Sequence, residues 1–184
     1  MSFALRVAVP DDTPALEALI PLSTRDLQAP YYSPAQINGA LGTVFAVDRQ
    51  LIADRTFFVV EHGEVIAGCG GWSKRKTLFG GDKGRHASGD ALLDPAHDPA
   101  RIRAFFVHPE YARRGIGMQI LRECERAAAA AGFRTFELVA TLAGVPLYAA
   151  GGFGAVEHFE IPLANGERMP AVRMRKSVAA TPSL

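Results

Sequence analysis

Hydrophobic and polar positions repeat along this chain with a period that changes several times, and each change marks a new element. Leu5, Val7 and Val9 alternate with Arg6 and Ala8, the two-residue period of a half-buried strand, which Pro10 ends. Asp11-Asp12-Thr13-Pro14 carries helix-start residues, and Leu16, Leu19 and Ile20 share one face of the helix that follows. A second helix is predicted after Ser33-Pro34, with Ile37, Leu41 and Val44 as its apolar stripe. Residues 56–61 are β-branched and aromatic and predict a strand, His62-Gly63-Glu64 a turn, and residues 65–72 the returning strand of a hairpin.

Periodicity then stops. Residues 74–100 are rich in glycine, proline and polar side chains, a long loop of the kind that is functional or mobile, or else a plain insertion. Residues 102–107 form the next predicted strand. Residues 115–131 form the clearest helix, with Ile116, Ile120, Leu121, Cys124 and Ala128 at helical spacing and Gly132 as its stop. A strand at 136–140 completes a strand-helix-strand order, which implies a right-handed crossover and a parallel strand pair. A short helix over 145–150 and a hairpin around Asn165-Gly166 close the chain. No repeat or linker divides it, so a single domain is expected over residues 1–176, with a flexible tail at 177–184.

Composition narrows the partners. A formal net charge of +1 carries no global field for nucleic acid or an anionic membrane, so any basic site is local. Cys69 and Cys124 lack paired spacing, which reads as a reduced, cytoplasmic protein. His62, His86 and His158 show no spacing with acids or cysteines that suggests a metal, and none is expected. The start of the chain does not read as a signal peptide, and no apolar run is long enough to span a membrane.

The chemistry concentrates in Phe105-Phe106-Val107-His108-Pro109-Glu110-Tyr111-Ala112-Arg113-Arg114-Gly115-Ile116-Gly117. A strand runs out, a proline turns the chain, and arginines and glycines lead into a helix. The first turn of a helix has unpaired N–H groups and a partial positive charge, so it attracts anions. Gly115 and Gly117 allow close backbone approach, and Arg113 and Arg114 add charge-assisted donors, so the segment suits a pyrophosphate. A P-loop would need Lys and Ser or Thr after its last glycine, where Met118 and Gln119 stand. The dinucleotide fingerprint would need a small residue at Ile120.

Residues 107–117 resemble the acetyl-CoA-binding motif of the GNAT superfamily of N-acetyltransferases, and the order of elements is similar over nearly the whole chain. The resemblance implies an α/β fold with a central, mostly antiparallel mixed sheet, a parallel splayed strand pair and helices on both faces. It implies acetyl-CoA as cofactor, its pyrophosphate on the backbone of Arg113, Arg114, Gly115, Ile116 and Gly117, and its pantetheine arm along Phe106 and Val107. The backbone N–H of Val107 is then expected to meet the thioester oxygen. Tyr148, four residues before Gly152-Phe153, resembles the family's tyrosine that protonates the departing thiolate. Thr141 stands where the family often has Asn, and Ala112 where it has Gln or Arg. A homodimer is common among such relatives.

The implied reaction is direct attack by a primary amine of a small molecule or peptide on the thioester. The alternatives are a longer acyl donor, or a catalytically weak acyl-CoA-binding sensor or interaction domain. Tyr31, Tyr32 and Trp72 are candidates to line the acceptor pocket, since the family's first two helices and their connection do so. Strand alternation places Arg101, Arg103 and Phe105 on one face, and Arg103 is a candidate partner for a substrate carboxylate. Asp94, His97, Asp98 and His108 are candidates for the general base, Glu137 is expected to face outward, and no base is assigned.

Overall fold

One seven-stranded sheet carries the chain in the order β1-β2-β3-β4-β5-β7-β6. The computed structural model describes residues 2–82 and 91–178. Its strands are β1 (Ala4–Val7), β2 (Phe57–His62), β3 (Val65–Ser73), β4 (Ala100–Val107), β5 (Thr135–Thr141), β6 (Gly154–Pro162) and β7 (Arg168–Ser177). Its helices are α1 (Thr13–Leu27), α2 (Pro34–Ala40), α3 (Arg49–Ala53), α4 (Ile116–Ala130) and α5 (Val145–Ala150). Every named pairing is antiparallel except β4 with β5. The expected mixed sheet, with its parallel pair, is therefore present.

Local chemistry explains most of the boundaries. Ser33 caps α2 by accepting the Gln36 N–H while the Gln36 side chain returns to Ser33, and Pro34 fills the first turn. Asp48 caps α3, accepting from Gln50 N and Leu51 N. That short helix has no distinct periodic signal in the sequence. Strand β7 runs through Ser177, and Val178 N–H donates to Arg134 O at 2.8 Å, so the first residue of the predicted tail is strand and the second is hydrogen-bonded beside it. Residues 179–184 lie outside the described residues, as do 83–90 of the predicted loop with His86.

The sheet separates two apolar cores. One faces α1, α2 and α3 through Leu16, Ile20, Ile37 and Leu51. The other faces α4 and α5 through Ile116, Ile120, Leu121, Cys124 and Tyr148. Glycines in β3 let the second layer come close. A Cβ on Gly68 would approach Ile116 Cγ2 to 2.6 Å, and one on Gly70 would approach Phe105 Cδ2 to 2.6 Å. Cys69 and Cys124 are buried free thiols, and burial pushes the Cys69 thiol up to about 12, so it stays protonated.

Strand β4 carries the feature on which the site depends. Cys69 pairs with Phe106 and Gly71 with Arg103, so two steps along β3 face three along β4. This is a β-bulge, and Ala104 takes φ 62° within it. The extra residue reverses the parity of the strand. Ala100 and Ile102 face α4 before it, Phe105 and Val107 after it, while Phe106 turns to the α1 side. The simple alternation that grouped Phe105 with Arg103 is corrected accordingly. Gly71 is confined by backbone beside the bulge: an added Cβ would meet the Thr56 carbonyl oxygen at 2.7 Å. Gly71→Ala is expected to cost about 1–3 kcal/mol in chemical denaturation. Gly154→Ala, where a Cβ meets nothing within 4 Å, is expected to stay within about 0.5 kcal/mol.

Candidate active site

Strands β4 and β5 pair only at Ala100 with Phe136 and Arg101 with Glu137. Beyond that rung β4 still follows β3 to Val107 and β5 still follows β7 to Thr141, so the two strands part. A cavity of about 610 Å³ fills the wedge. It runs from Arg113, Gly115 and Gly117 past Phe106, Val107, Thr141 and Tyr148 to Tyr31 and Phe45.

At one end is the start of α4. Gly115, its N-cap, has φ 84°, and no side chain caps the first turn. Arg113 is also left-handed at φ 64°, and both arginines are exposed. A Cβ on Gly115 would meet nothing within 4 Å, so open space lies in front of the unpaired first-turn N–H groups. This arrangement fits a diphosphate. The Arg114 guanidinium lies 5.6 Å from the Tyr111 ring centroid, outside the cavity wall. Gly117 has a different role: its missing Cβ leaves room for Leu147 of α5, whose Cδ2 would be 2.9 Å away. Ile116 anchors the turn, its side chain buried beneath Gly68.

At mid-cavity Tyr148 is held edge-on by Phe105 at 5.8 Å and Phe153 at 6.1 Å between ring centroids. Burial raises its pKa above the ordinary tyrosine value, with the nearby Cys124 adding to the effect, so the phenol keeps its proton at neutral pH. Thr141 lines the same wall, and its Oγ1 accepts the Gly144 N–H at 3.2 Å in the turn before α5.

A family model for the acetyltransferase (GNAT) family matches residues 19–153. The chain belongs to that family. Among solved structures it is similar to a GCN5-related N-acetyltransferase from Rhodopseudomonas palustris, at 22% identity and TM-score 0.70 over 97% of each chain. It is also similar to the PaiA N-acetyltransferase of Thermoplasma acidophilum in complex with coenzyme A, at 15% identity and TM-score 0.64 over 96% of this chain and 99% of that one. YncA of Salmonella typhimurium with its cofactor acetyl-CoA matches at 13% identity and TM-score 0.65, over 100% of this chain and 98% of that one. None of the curated proteins matches the sequence. As a GNAT acetyltransferase the chain takes acetyl-CoA, and the open α4 start and parted strands suit that cofactor.

Several expected acceptor residues take other places in this GNAT fold. Trp72 is buried on the α4 side of the sheet, edge-on to Phe133 at 5.9 Å, because β3 alternation turns it away from the cavity. Arg103 reaches the cavity but is buried and paired with Asp48 at 2.7 Å, and it donates to the carbonyls of Thr77 and Gly80. Its charge is spent holding the 77–80 segment against α3. Tyr32 donates to Pro170 O at 2.7 Å and accepts Leu142 N–H at 2.8 Å, tying the end of β5 to β7 and the α1–α2 connection. Tyr31, half exposed, does line the cavity.

The Val107 N–H donates to Ser23 Oγ at 3.2 Å, so the group expected to meet the thioester oxygen already has a partner. Ser23 and Gln28 of α1, Val44, Phe45, Phe79 and Met169 also line the cavity and escaped sequence reasoning. They come from separate elements, each with an ordinary packing signal. The candidate bases are elsewhere. Glu137 is buried rather than outward, held by Arg101 and by Arg175 at 2.5 Å. Asp94 pairs with an exposed His97 at 2.8 Å, and His108 Nδ1 accepts the Glu110 N–H at 3.3 Å. Among the described residues no carboxylate or imidazole lines the cavity. Since Tyr32 satisfies a buried N–H across three elements, Tyr32→Phe is expected to lower stability by about 1–3 kcal/mol in denaturant melts.

Proposed function

We propose that this acetyltransferase acetylates a primary amine of a small molecule or peptide by direct transfer within a ternary complex. The observation that carries the proposal is one continuous cavity joining an uncapped helix start, an unpaired strand edge and a proton-bearing tyrosine. Acetyl-CoA supplies an activated acetyl group whose thioester carbonyl the neutral acceptor nitrogen attacks. The backbone of Arg113, Gly115, Ile116 and Gly117 takes the pyrophosphate, with the Arg113 guanidinium adding charge-assisted contacts and Arg114 adding positive charge from outside the wall.

The β4 edge at Phe106 and Val107 holds the thioester arm by main-chain hydrogen bonds, as an added strand would. Ser23 holds the Val107 N–H in register from α1. Thr141 contacts the arm from β5. As the new carbon–nitrogen bond forms and the carbon–sulfur bond breaks, Tyr148 donates its proton to the departing thiolate, and the proton shed by the acylated nitrogen restores the phenol. Burial keeps the phenol protonated at neutral pH, so its proton is in place when the thiolate departs in the second half of the step.

Coenzyme A is expected to raise the melting temperature of the protein, and ATP and NAD to leave it unchanged. Tyr148→Phe is expected to lower kcat about 100-fold with the acetyl-CoA KM within about twofold. Unchanged turnover would remove Tyr148 as the acid. Binding of coenzyme A without thiol release on any amine would favour the sensor alternative, which Ala112 and Thr141 keep open.

A further inference from the structure

Beyond Tyr148 the cavity opens between α1, the 44–46 segment and the first limb of the 74–82 loop, where its lining changes character. Leu27, Val44, Phe45, Phe79, Phe106 and Met169 present apolar and aromatic surface there. The wall is rigidly built. Phe45 packs edge-on to Phe106 at 6.0 Å, Phe79 lies 6.5 Å from Phe159, and the 77–80 segment is tied down by Arg103. Arg103, the cation that reaches this region, is neutralised by Asp48. One polar group faces the other way in this balance. Gln28, the C-cap of α1, lines the cavity, and its amide oxygen is buried with no hydrogen-bond partner among the described residues.

An unsatisfied buried acceptor costs stability, so its retention beside an apolar cavity calls for a donor that arrives with a ligand. A half-turn about the last side-chain bond exchanges the amide oxygen and nitrogen without moving the helix, so the group that Gln28 turns to the cavity is set by the ligand it meets. We infer that the acceptor is an amine carried on an uncharged apolar or aromatic body. That body packs against Phe45, Phe79 and Met169 while Gln28 accepts a hydrogen bond from the amine N–H. The inference rests on the acetyltransferase reading above and narrows its acceptor. Polyamines and acidic amino acids would bring charges into a wall that answers neither.

Each methylene moved from water into such a wall contributes about a fourfold gain in kcat/KM. The test measures thiol release with acetyl-CoA for propylamine, butylamine, pentylamine, hexylamine and 2-phenylethylamine, against spermidine and L-glutamate. From propylamine to hexylamine kcat/KM is expected to rise roughly fiftyfold, with 2-phenylethylamine at least about tenfold above spermidine and L-glutamate. A flat alkyl series, or preference for spermidine or L-glutamate, overturns the inference and leaves acetyl transfer intact. The same amines are scored by thermal shift on the coenzyme A-saturated protein, which needs no turnover. Stabilisation by hexylamine and 2-phenylethylamine alone supports the apolar site, and equal or greater stabilisation by spermidine overturns it. If coenzyme A itself gives no shift, the acetyltransferase reading fails and this inference with it. Gln28→Leu is expected to raise the hexylamine KM about tenfold with the acetyl-CoA KM within about twofold. An unchanged hexylamine KM removes Gln28 from the site.

Discussion

The parting of β4 from β5 is the constraint from which the site follows. Parallel strands gain stability by pairing along their length, yet here the ladder ends after Arg101 and Glu137. Glu137 closes the paired end by binding Arg101 on one side and Arg175 on the other, so three neighbouring strands are stitched by charge at the apex of the wedge. Downstream, the bulge at Ala104 turns β4 away while β3 continues to hold it. A positive φ at alanine costs about 1–2 kcal/mol, a strain that persists only because packing on both faces dictates it. The result is an unpaired strand edge in a closed fold. Such an edge is a hazard unless something occupies it, and an extended cofactor arm is a suitable occupant.

The surrounding elements are arranged to keep this wedge open and serviced. Glycines in β3 lower α4 onto the sheet, which aims its uncapped first turn at the mouth of the cavity. Gly117 then admits Leu147, which brings α5 and Tyr148 alongside β4. On the opposite face Ser23 of α1 reaches Val107, and Tyr32 bridges Leu142 and Pro170. The two ends of the cavity therefore differ in chemistry. The α4 end offers backbone donors and arginines, while the α1 end offers apolar walls and one unsatisfied amide. The same asymmetry separates the end proposed for the cofactor's phosphates from the end proposed for the acceptor.

Much of this was legible before any tertiary contact was known. The period of apolar residues located α4 to within a residue at each end, and the capping pattern at Ser33-Pro34 located α2. The loop proposed for the pyrophosphate was readable because its signal is local: neighbouring glycines, arginines and a helix start fall within a few residues. Tyr148 stood out through its resemblance to a family pattern, and it lies on α5 and lines the cavity. Where reading failed, the failure was of reach. Trp72 and Arg103 have the right chemistry for an acceptor pocket, but strand parity and the buried Asp48 decide what they face.

By itself the sequence determined most of the elements, the glycine-led start of α4 and the family, because hydrophobic period, caps and a contiguous motif act over a few residues. Tertiary structure alone decided that β4 skips a residue, that Glu137 is buried between arginines, and that Val107 answers to Ser23. It also decided the acceptor end, whose walls come from α1, the 44–46 segment, Phe79 and β7. Those side chains carry no mutual signal along the chain. Their contacts arise from packing between elements distant in sequence, and a single bulge is enough to exchange which of them meet.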